Sequence, residues 1–253
     1  MKDFSHSLYW YAAQGMPMGV YAGQTRSIVD TAQAITLPYL QQNLALHVKD
    51  DAQSVQHNRM RLLQQLKPYG AKRFAWLNQT HSTTVYTETA QPVLHLRDGD
   101  GLVTCEKGVA LMMMTADCLP IVIANADGSE VACAHAGWRG LADGVLEATA
   151  AKMQTEPCYA WIGAAISQPN FEVGAEVKAK FESLRADFSE QFEAKANDKY
   201  LADLYAIATK KLQALGVKHI TGADRCSYAE NDVFYSYRRS ATTGRMATFV
   251  FIA

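Results

Sequence analysis

The sequence lacks the long hydrophobic runs and the excess of one charge that mark several large classes of protein. No apolar run approaches the roughly 20 residues of a membrane-spanning helix. The 24 lysines and arginines are balanced by 25 aspartates and glutamates, whereas a nucleic-acid-binding surface needs a clustered basic excess. We therefore expect neither a membrane nor a nucleic acid as a partner.

Cysteine is also sparse and irregularly spaced. The five cysteines are odd in number and none shows CxxC spacing, so a disulfide framework is not expected. The first residues, MKDFSHSLYWYAAQG, lack the apolar block of a secretory signal peptide. These features predict a cytoplasmic protein, in which thiols stay reduced and most cysteines are small buried residues.

Internal repeats, low-complexity tracts and linkers are missing as well, which predicts that residues 1–253 form a single domain. Hydrophobic residues make up 49% of the chain, enough for a large core. Short apolar runs typical of strands are mixed with segments of helical periodicity, and several hairpins are indicated. The predicted fold class is α+β, with mixed or largely antiparallel sheets.

Two of the predicted helices have clear boundaries in the sequence. The segment LADGVLEATAAKM, residues 141–153, has apolar residues at helical spacing. The segment YLADLYAIATKKLQALGV, residues 200–217, is strongly amphipathic, and Gly216 is a candidate for its C-terminal cap. We expect both helices to pack an apolar face against a sheet.

The stretch TADCLPIVIANADGSEVACAHAGWRG, residues 115–140, predicts a hairpin with reactive side chains at its open end. A turn centred on Asp127–Gly128 places Pro120 opposite His135 and Cys118 opposite Gly137. Because paired strands lie about 4.8 Å apart, the thiol and the imidazole can reach a common point. They fit a metal ion or a nucleophile–base pair. The alternative without function is a buried cysteine near a hydrogen-bonded histidine.

A catalytic zinc ion needs a third protein ligand and an open fourth position. His81, in the polar stretch NQTHSTT, is the best candidate, and His47 is an alternative ligand or a group that orients one. Arg139 closely follows His135 and supplies a permanent cation for a phosphate or carboxylate. A metal site beside an anion-binding group suits hydrolysis or phosphorolysis.

The motifs TADCLP, AHAGWRG, QTHS and CSYAENDVFYSYRRSATTGRMA together resemble the YfiH family. Its members have been called polyphenol-oxidase laccases, purine nucleoside phosphorylases and peptidoglycan editing factors, and the human protein FAMIN resembles them too. The likeness implies an α/β/β/α sandwich like that of cytotoxic-necrotizing-factor-like domains. It also implies a metal site formed by His81, Cys118 and His135, with zinc as the expected ion and copper as the alternative.

The same resemblance implies phosphorolysis of adenosine, inosine and methylthioadenosine, and deamination of adenosine. Cys118 and His135 would act in catalysis, and Asp117 would move a proton or orient a ligand histidine. As a mechanistic hypothesis, Arg26 and Asn43 contact the nucleoside and Arg139 binds phosphate. The alternatives without function are an exposed cation for each arginine, a turn amide for Asn43 and a capping carboxylate for Asp117. The expected partners are a purine nucleoside and phosphate, and the sequence does not indicate an oligomeric state.

Three rival functions stay open. Cys118 as nucleophile and His135 as base would give an amidase that edits peptidoglycan precursors. A copper-dependent polyphenol oxidase normally needs several copper ions and more clustered histidines than the seven scattered here. A binding module with a structural metal would need a fourth ligand.

The sequence also departs from the family pattern. No glycine-rich loop follows Thr25–Arg26, and IGAAI, residues 162–166, lacks the usual proline. The arginines of FYSYRRSATTGR, residues 234–245, are expected to pair with surface acids, with a place in the pocket as the alternative for one of them.

Overall fold

The computed structural model describes residues 3–5, 7–28 and 37–253. Within these ranges the chain forms fourteen strands and five α-helices. The strands are β1 (Trp10–Ala12), β2 (Val20–Thr25), β3 (Arg73–Ala75), β4 (Val85–Thr87), β5 (Gly101–Thr104), β6 (Val109–Thr115), β7 (Leu119–Asn125), β8 (Val131–Ala136), β9 (Pro157–Ile162), β10 (Glu172–Gly174), β11 (Phe192–Ala194), β12 (Lys199–Ala202), β13 (His219–Gly222) and β14 (Met246–Ile252). The helices are α1 (Ala52–Leu66), α2 (Trp138–Asp143), α3 (Val145–Lys152), α4 (Ala175–Glu182) and α5 (Leu204–Ala214).

The strands form two large sheets and one small one. The five-stranded sheet has the order β1-β2-β14-β6-β3, and the six-stranded sheet has the order β13-β9-β7-β8-β5-β4. Both sheets are antiparallel in the middle, and parallel pairs occur at the edges: β3 with β6, β13 with β9, and β4 with β5. The mixed pairing and the separate helices confirm the predicted α+β class.

The two large sheets pack face to face, and helices cover their outer faces. Strand β7 shows the arrangement: Val122 and Ala124 face the other sheet, whereas Ile121 and Ile123 face the layer that contains α2 to α5. The outer face of the five-stranded sheet packs against α1 through Leu62. These four layers form the α/β/β/α sandwich that the family resemblance implies.

The β7–β8 hairpin has the predicted register. Pro120 pairs with His135 and Leu119 with Ala136, so Cys118 lies just before the first paired residue of β7. On β8, Ala132 and Ala134 face the helix layer. Their small side chains let α3 pack close to the sheet. This packing fixes the distance between the helices and the last residues of β8.

The helices differ from the sequence prediction where a backbone turn intervenes. The helix predicted over residues 141–153 is divided into α2 and α3 at Gly144, whose φ of 101° is in the left-handed region that glycine readily adopts. The helix predicted over residues 200–217 begins only at α5, because the Asp203 side chain accepts a hydrogen bond from the Ala206 amide and caps it. Among the described residues, no helix combines the length and apolar character needed to cross a bilayer.

Candidate metal centre

Three side chains from separate segments converge at the open end of the β7–β8 hairpin. Cys118 precedes β7, His135 is in β8, and His81 lies in the loop between β3 and β4. The Cys118 Sγ and His81 Nε2 atoms are 3.7 Å apart, and one ligand atom from each of the three residues lies within 4.8 Å of the others. The structure thus brings together all three predicted ligands.

The donor set and its spacing fit a tetrahedral metal ion. Bonds of about 2.3 Å to sulfur and 2.1 Å to nitrogen place two tetrahedral ligand atoms about 3.6 Å apart, close to the observed separation of the Cys118 and His81 atoms. Thiolate and imidazole suit zinc or copper. His135 is buried, Cys118 is half-buried and His81 is exposed, so the cluster is open on one side. These residues could therefore hold an ion and leave it accessible to substrate.

Asp100, which the sequence analysis did not single out, supports two of the three ligands. Its Oδ1 atom lies 2.7 Å from His135 Nδ1 and accepts a hydrogen bond from the His81 amide at 3.1 Å. Its Oδ2 atom accepts from the Ser82 amide and hydroxyl at 2.6 and 2.8 Å. A carboxylate at Nδ1 directs the Nε2 lone pair of His135 toward the cluster. Asp100 therefore fixes both the imidazole and the loop that carries His81.

The charges of the cluster reinforce one another. Burial alone would raise the pKa of the Cys118 thiol, but His135 and His81 lower it to about 6. Burial alone would lower the pKa of His135, but Cys118 and Asp100 raise it to about 9. Burial likewise opposes ionisation of Asp100, whose pKa His135 and Ser82 hold at about 2. Without a metal ion the site is a thiolate–imidazolium–carboxylate chain, and the thiolate is the form that binds metals.

A cavity of about 430 Å³ opens directly beside the cluster. Its lining residues are His47, Gln79, His81, Met114, Thr115, Ala116, Asp117, Cys118, His135, Trp138, Arg139, Ile166, Phe171, Tyr237, Arg238 and Arg245. Apolar and aromatic side chains thus form much of the wall, and polar groups converge at the metal ligands. This composition is typical of a small-molecule site.

Three arginines line this cavity, and each lies over an aromatic ring. The guanidinium carbon of Arg139 is 4.4 Å from the centre of the Trp138 ring. Arg238 and Arg245 lie over Phe171 and Tyr237 at 5.3 and 5.8 Å. No carboxylate of the described residues forms an ion pair with any of the three. The cavity therefore offers unpaired positive charge.

The arginines of the segment 234–245 do not pair with surface acids, which was the expectation from the sequence. Arg238 donates to the Glu172 carbonyl, and Arg245 donates to the carbonyls of Thr243 and Gly244. Arg239 instead donates to the backbone carbonyls of Ser227, Tyr228 and Phe234. Main-chain carbonyls accept some of the hydrogen bonds of each guanidinium group but do not neutralise its charge. The charge pattern of the sequence does not reveal such carbonyl partners.

The predicted role of Asp117 in orienting a ligand histidine is not what the structure shows. Asp100, not Asp117, bonds to His135. Asp117 accepts hydrogen bonds from the Ser227 hydroxyl and the Arg238 amide, both at 2.7 Å. It lines the cavity, but its carboxylate faces the segment that contains Arg238.

Neither Arg26 nor Asn43 is among the residues that line the cavity. Asn43 is buried, and its Oδ1 atom accepts a hydrogen bond from the Arg245 amide at 3.0 Å. It thus supports a cavity arginine rather than facing the cavity itself. Arg26 is half-buried, and residues 29–36 of the glycine-poor segment that follows it lie outside the described residues.

Comparison with known proteins shows which family the chain belongs to. Residues 30–253 match the family described as multi-copper polyphenol oxidoreductase laccase. The chain belongs to this family, the YfiH family.

Several YfiH-family relatives are similar over most of the chain. The purine nucleoside phosphorylase YfiH of Escherichia coli K12 is 43% identical over 221 residues, which cover 85% of this chain and 88% of the relative. A purine nucleoside phosphorylase of Pseudomonas aeruginosa is 40% identical over 218 residues, or 85% and 87% of the two chains. A crystal structure from Neisseria meningitidis has a TM-score of 0.89 at 38% identity, covering 96% of this chain and 99% of that one. YlmD of Geobacillus stearothermophilus has a TM-score of 0.83 at 31% identity, with 96% of each chain covered.

Substitution of Asp100 tests whether its carboxylate positions the metal ligands His81 and His135. In Asp100→Asn the amide group would face the Ser82 donors, and His135 would lose its charged partner. We expect zinc affinity to fall about 10- to 100-fold, measured by competition with a chromophoric chelator. Glu130→Gln is the matched control, because Glu130 is also buried and accepts from Gln154 and Thr155 far from the site. Wild-type affinity in Asp100→Asn would show that the carboxylate does not position the ligands.

Substitution of Gly137 tests whether zinc binding requires the close approach of the Gly137 backbone to His81 and Cys118. A Cβ atom at Gly137 would lie 2.7 Å from His81 Cδ2 and 3.0 Å from Cys118 Sγ, although its φ of −58° permits alanine. We expect Gly137→Ala to displace both ligands and weaken zinc binding at least about tenfold, on the scale of a disturbed ligand environment. Gly140→Ala is the control, because its Cβ would meet only ordinary contacts of 3.4 Å or more. Equal zinc affinity in both variants would contradict this account.

Proposed function

We propose that this protein is a zinc-dependent purine nucleoside phosphorylase. The observation that carries the proposal is the cavity beside the His81–Cys118–His135 cluster, in which three arginines form no ion pair with a carboxylate of the described residues. A site that needed only a nucleoside and water would have no use for this much positive charge. A tetrahedral anion such as phosphate matches it.

The phosphate-binding groups are Arg139, Arg238 and Arg245. The carbonyls that Arg238 and Arg245 contact hold their side chains in place without forming an ion pair with them. Arg139 makes no hydrogen bond to the described residues and is exposed at the rim over Trp138. Guanidinium groups bind phosphate through two parallel hydrogen bonds, so they can hold an attacking oxygen in place.

The aromatic residues of the same cavity suit a purine base. Phe171, Trp138 and Tyr237 contribute aromatic surface to the cavity lining, and Ile166 and Met114 add apolar surface. Flat heteroaromatic rings stack on such surfaces with a gain beyond simple burial. The relatives from Escherichia coli and Pseudomonas aeruginosa are named purine nucleoside phosphorylases, which supports the same substrate class here.

His81, Cys118 and His135 would hold the zinc ion. When bound, the ion supplies a Lewis acid at the wall of the cavity. Phosphorolysis breaks the bond between the anomeric carbon and the purine nitrogen, forms a bond from that carbon to a phosphate oxygen, and gives the departing purine a proton. The arginines hold the phosphate for this displacement, and the aromatic residues orient the base. Deamination of adenosine, in which water takes the place of phosphate, is the second reaction that the family resemblance implies, and the assay below distinguishes it from phosphorolysis.

A thiol hydrolase is the second candidate, because the pKa of the Cys118 thiol is lowered to about 6 by the adjoining histidines, against the effect of burial. In that case Cys118 would be the nucleophile and His135 its base. Alkylation of Cys118 by iodoacetamide distinguishes the two candidates: zinc protects a ligand thiolate, whereas a free nucleophile reacts equally with and without zinc. A multicopper oxidase is less well supported, since the described residues provide one metal cluster.

An assay with adenosine tests the proposed function. Zinc-loaded protein is incubated with adenosine, with and without phosphate, and the products are separated by chromatography. We expect adenine and ribose 1-phosphate only when phosphate is present, and we expect neither compound after treatment with a chelator. Inosine would indicate deamination. If zinc-loaded protein formed neither adenine nor inosine, the result would contradict the proposal and favour the hydrolase.

Arg139 provides the accompanying variant. Arg139→Met keeps the aliphatic part that covers Trp138 but removes the charge, so the KM for phosphate should rise about tenfold, the scale of one hydrogen bond to a charged group. Arg185→Met is the matched control, because Arg185 is exposed and pairs with Asp187 away from the cavity. An unchanged KM for phosphate in Arg139→Met would remove Arg139 from the phosphate site.

A further inference from the structure

Residues 223–245 form a strap, without helix or strand, that connects β13 to β14. The strap contributes Tyr237, Arg238 and Arg245 to the cavity. Its position therefore determines where two of the three cavity arginines lie. Irregular backbone does not by itself hold such side chains in place, so other contacts must fix the strap.

Internal hydrogen bonds make the strap a compact unit. The Arg239 guanidinium donates to the carbonyls of Ser227, Tyr228 and Phe234 at 3.0, 2.8 and 2.6 Å. Arg225 forms an ion pair with Glu230, whose other carboxylate oxygen accepts from the Cys226 amide at 2.8 Å. These bonds tie the two halves of the strap to each other.

Asp117 connects this unit to the peptide that carries the thiolate ligand. Its Oδ1 atom accepts from the Ser227 hydroxyl and its Oδ2 atom from the Arg238 amide, both at 2.7 Å. Cys118 is the next residue in the chain. The φ of Asp117 is 97°, a value that non-glycine residues rarely adopt and that costs conformational energy. The carboxylate is thus held facing the strap at some cost.

We propose that Asp117 is a positioning residue, which anchors the arginine-bearing strap at a fixed distance from the Cys118 thiolate. One carboxylate bonds to both ends of the strap's inner segment, at residues 227 and 238. It therefore sets the spacing between the metal ligands and Arg238. Both of its oxygens accept hydrogen bonds from the strap, and Asp117 acts through these contacts. The phosphate part of this inference rests on the proposed function.

Two substitutions separate anchoring from proton transfer. Asp117→Gly removes both bonds and suits the positive φ, so the turn is preserved. Ser227→Ala removes one bond but leaves the carboxylate intact, and Ser227 does not line the cavity. Ser189→Ala is the control, since Ser189 is half-buried away from the strap and, among the described residues, its hydroxyl donates only to the Ala186 carbonyl.

We expect faster amide hydrogen exchange in the strap of both variants, with one zinc ion still bound per chain. The KM for phosphate should rise about tenfold in Ser227→Ala, the scale of one hydrogen bond to a charged group, and further in Asp117→Gly. A substitution that weakens only phosphate binding raises KM and leaves the turnover number unchanged. The turnover number of Ser227→Ala at saturating phosphate should therefore stay within about twofold of wild type.

Two results would overturn the proposal. One is wild-type exchange of the strap in both variants. The other is a fall in turnover number in Asp117→Gly alone, with Ser227→Ala unchanged, as expected of a proton carrier. Hydrogen exchange is measured without nucleoside, so it stands even if the wild type shows no phosphorolysis. In that case calorimetry with inorganic phosphate replaces the KM: weaker binding in both variants supports the anchor, and equal binding contradicts it.

Discussion

The antiparallel pairing of β7 with β8 is the constraint on which the candidate metal centre depends. It fixes His135 opposite Pro120 and thereby places Cys118 at the same end of the ribbon. The third ligand, His81, comes from a distant loop, and the buried carboxylate of Asp100 holds this loop against His135. A sheet register and one carboxylate together bring three soft ligand atoms into a common volume.

The resulting cavity combines two kinds of side chain. It is lined by the sulfur and nitrogen ligands of the cluster and by three arginines that form no ion pair with a carboxylate of the described residues. Each of these guanidinium groups lies over an aromatic ring that also lines the cavity. This combination suits the proposed substrates, a purine nucleoside and phosphate. Asp117 connects the peptide of Cys118 to the strap that carries two of the three arginines.

Much of this site follows from the sequence because its central elements are local. Cys118 and His135 are close in the chain, and the Asp127–Gly128 turn fixes their relation. The role of Asp100 was not predicted, because its partner His135 is 35 residues away and an aspartate in DGDG also fits an ordinary turn. The strap shows no periodicity, so its arginines have the pattern of surface residues. Likewise, the sequence predicts one helix in place of α2 and α3. The left-handed φ of Gly144 interrupts the helix but does not change the spacing of the apolar residues.

Diffraction from crystals grown with zinc, measured on both sides of the zinc absorption edge, tests the central claim most directly. The account predicts one anomalous peak per chain, about 2.3 Å from Cys118 Sγ and about 2.1 Å from a nitrogen of His81 and of His135, on the wall of the arginine-lined cavity. A zinc-loaded crystal in which the peak lies elsewhere, or in which these three side chains point away from it, would contradict the account.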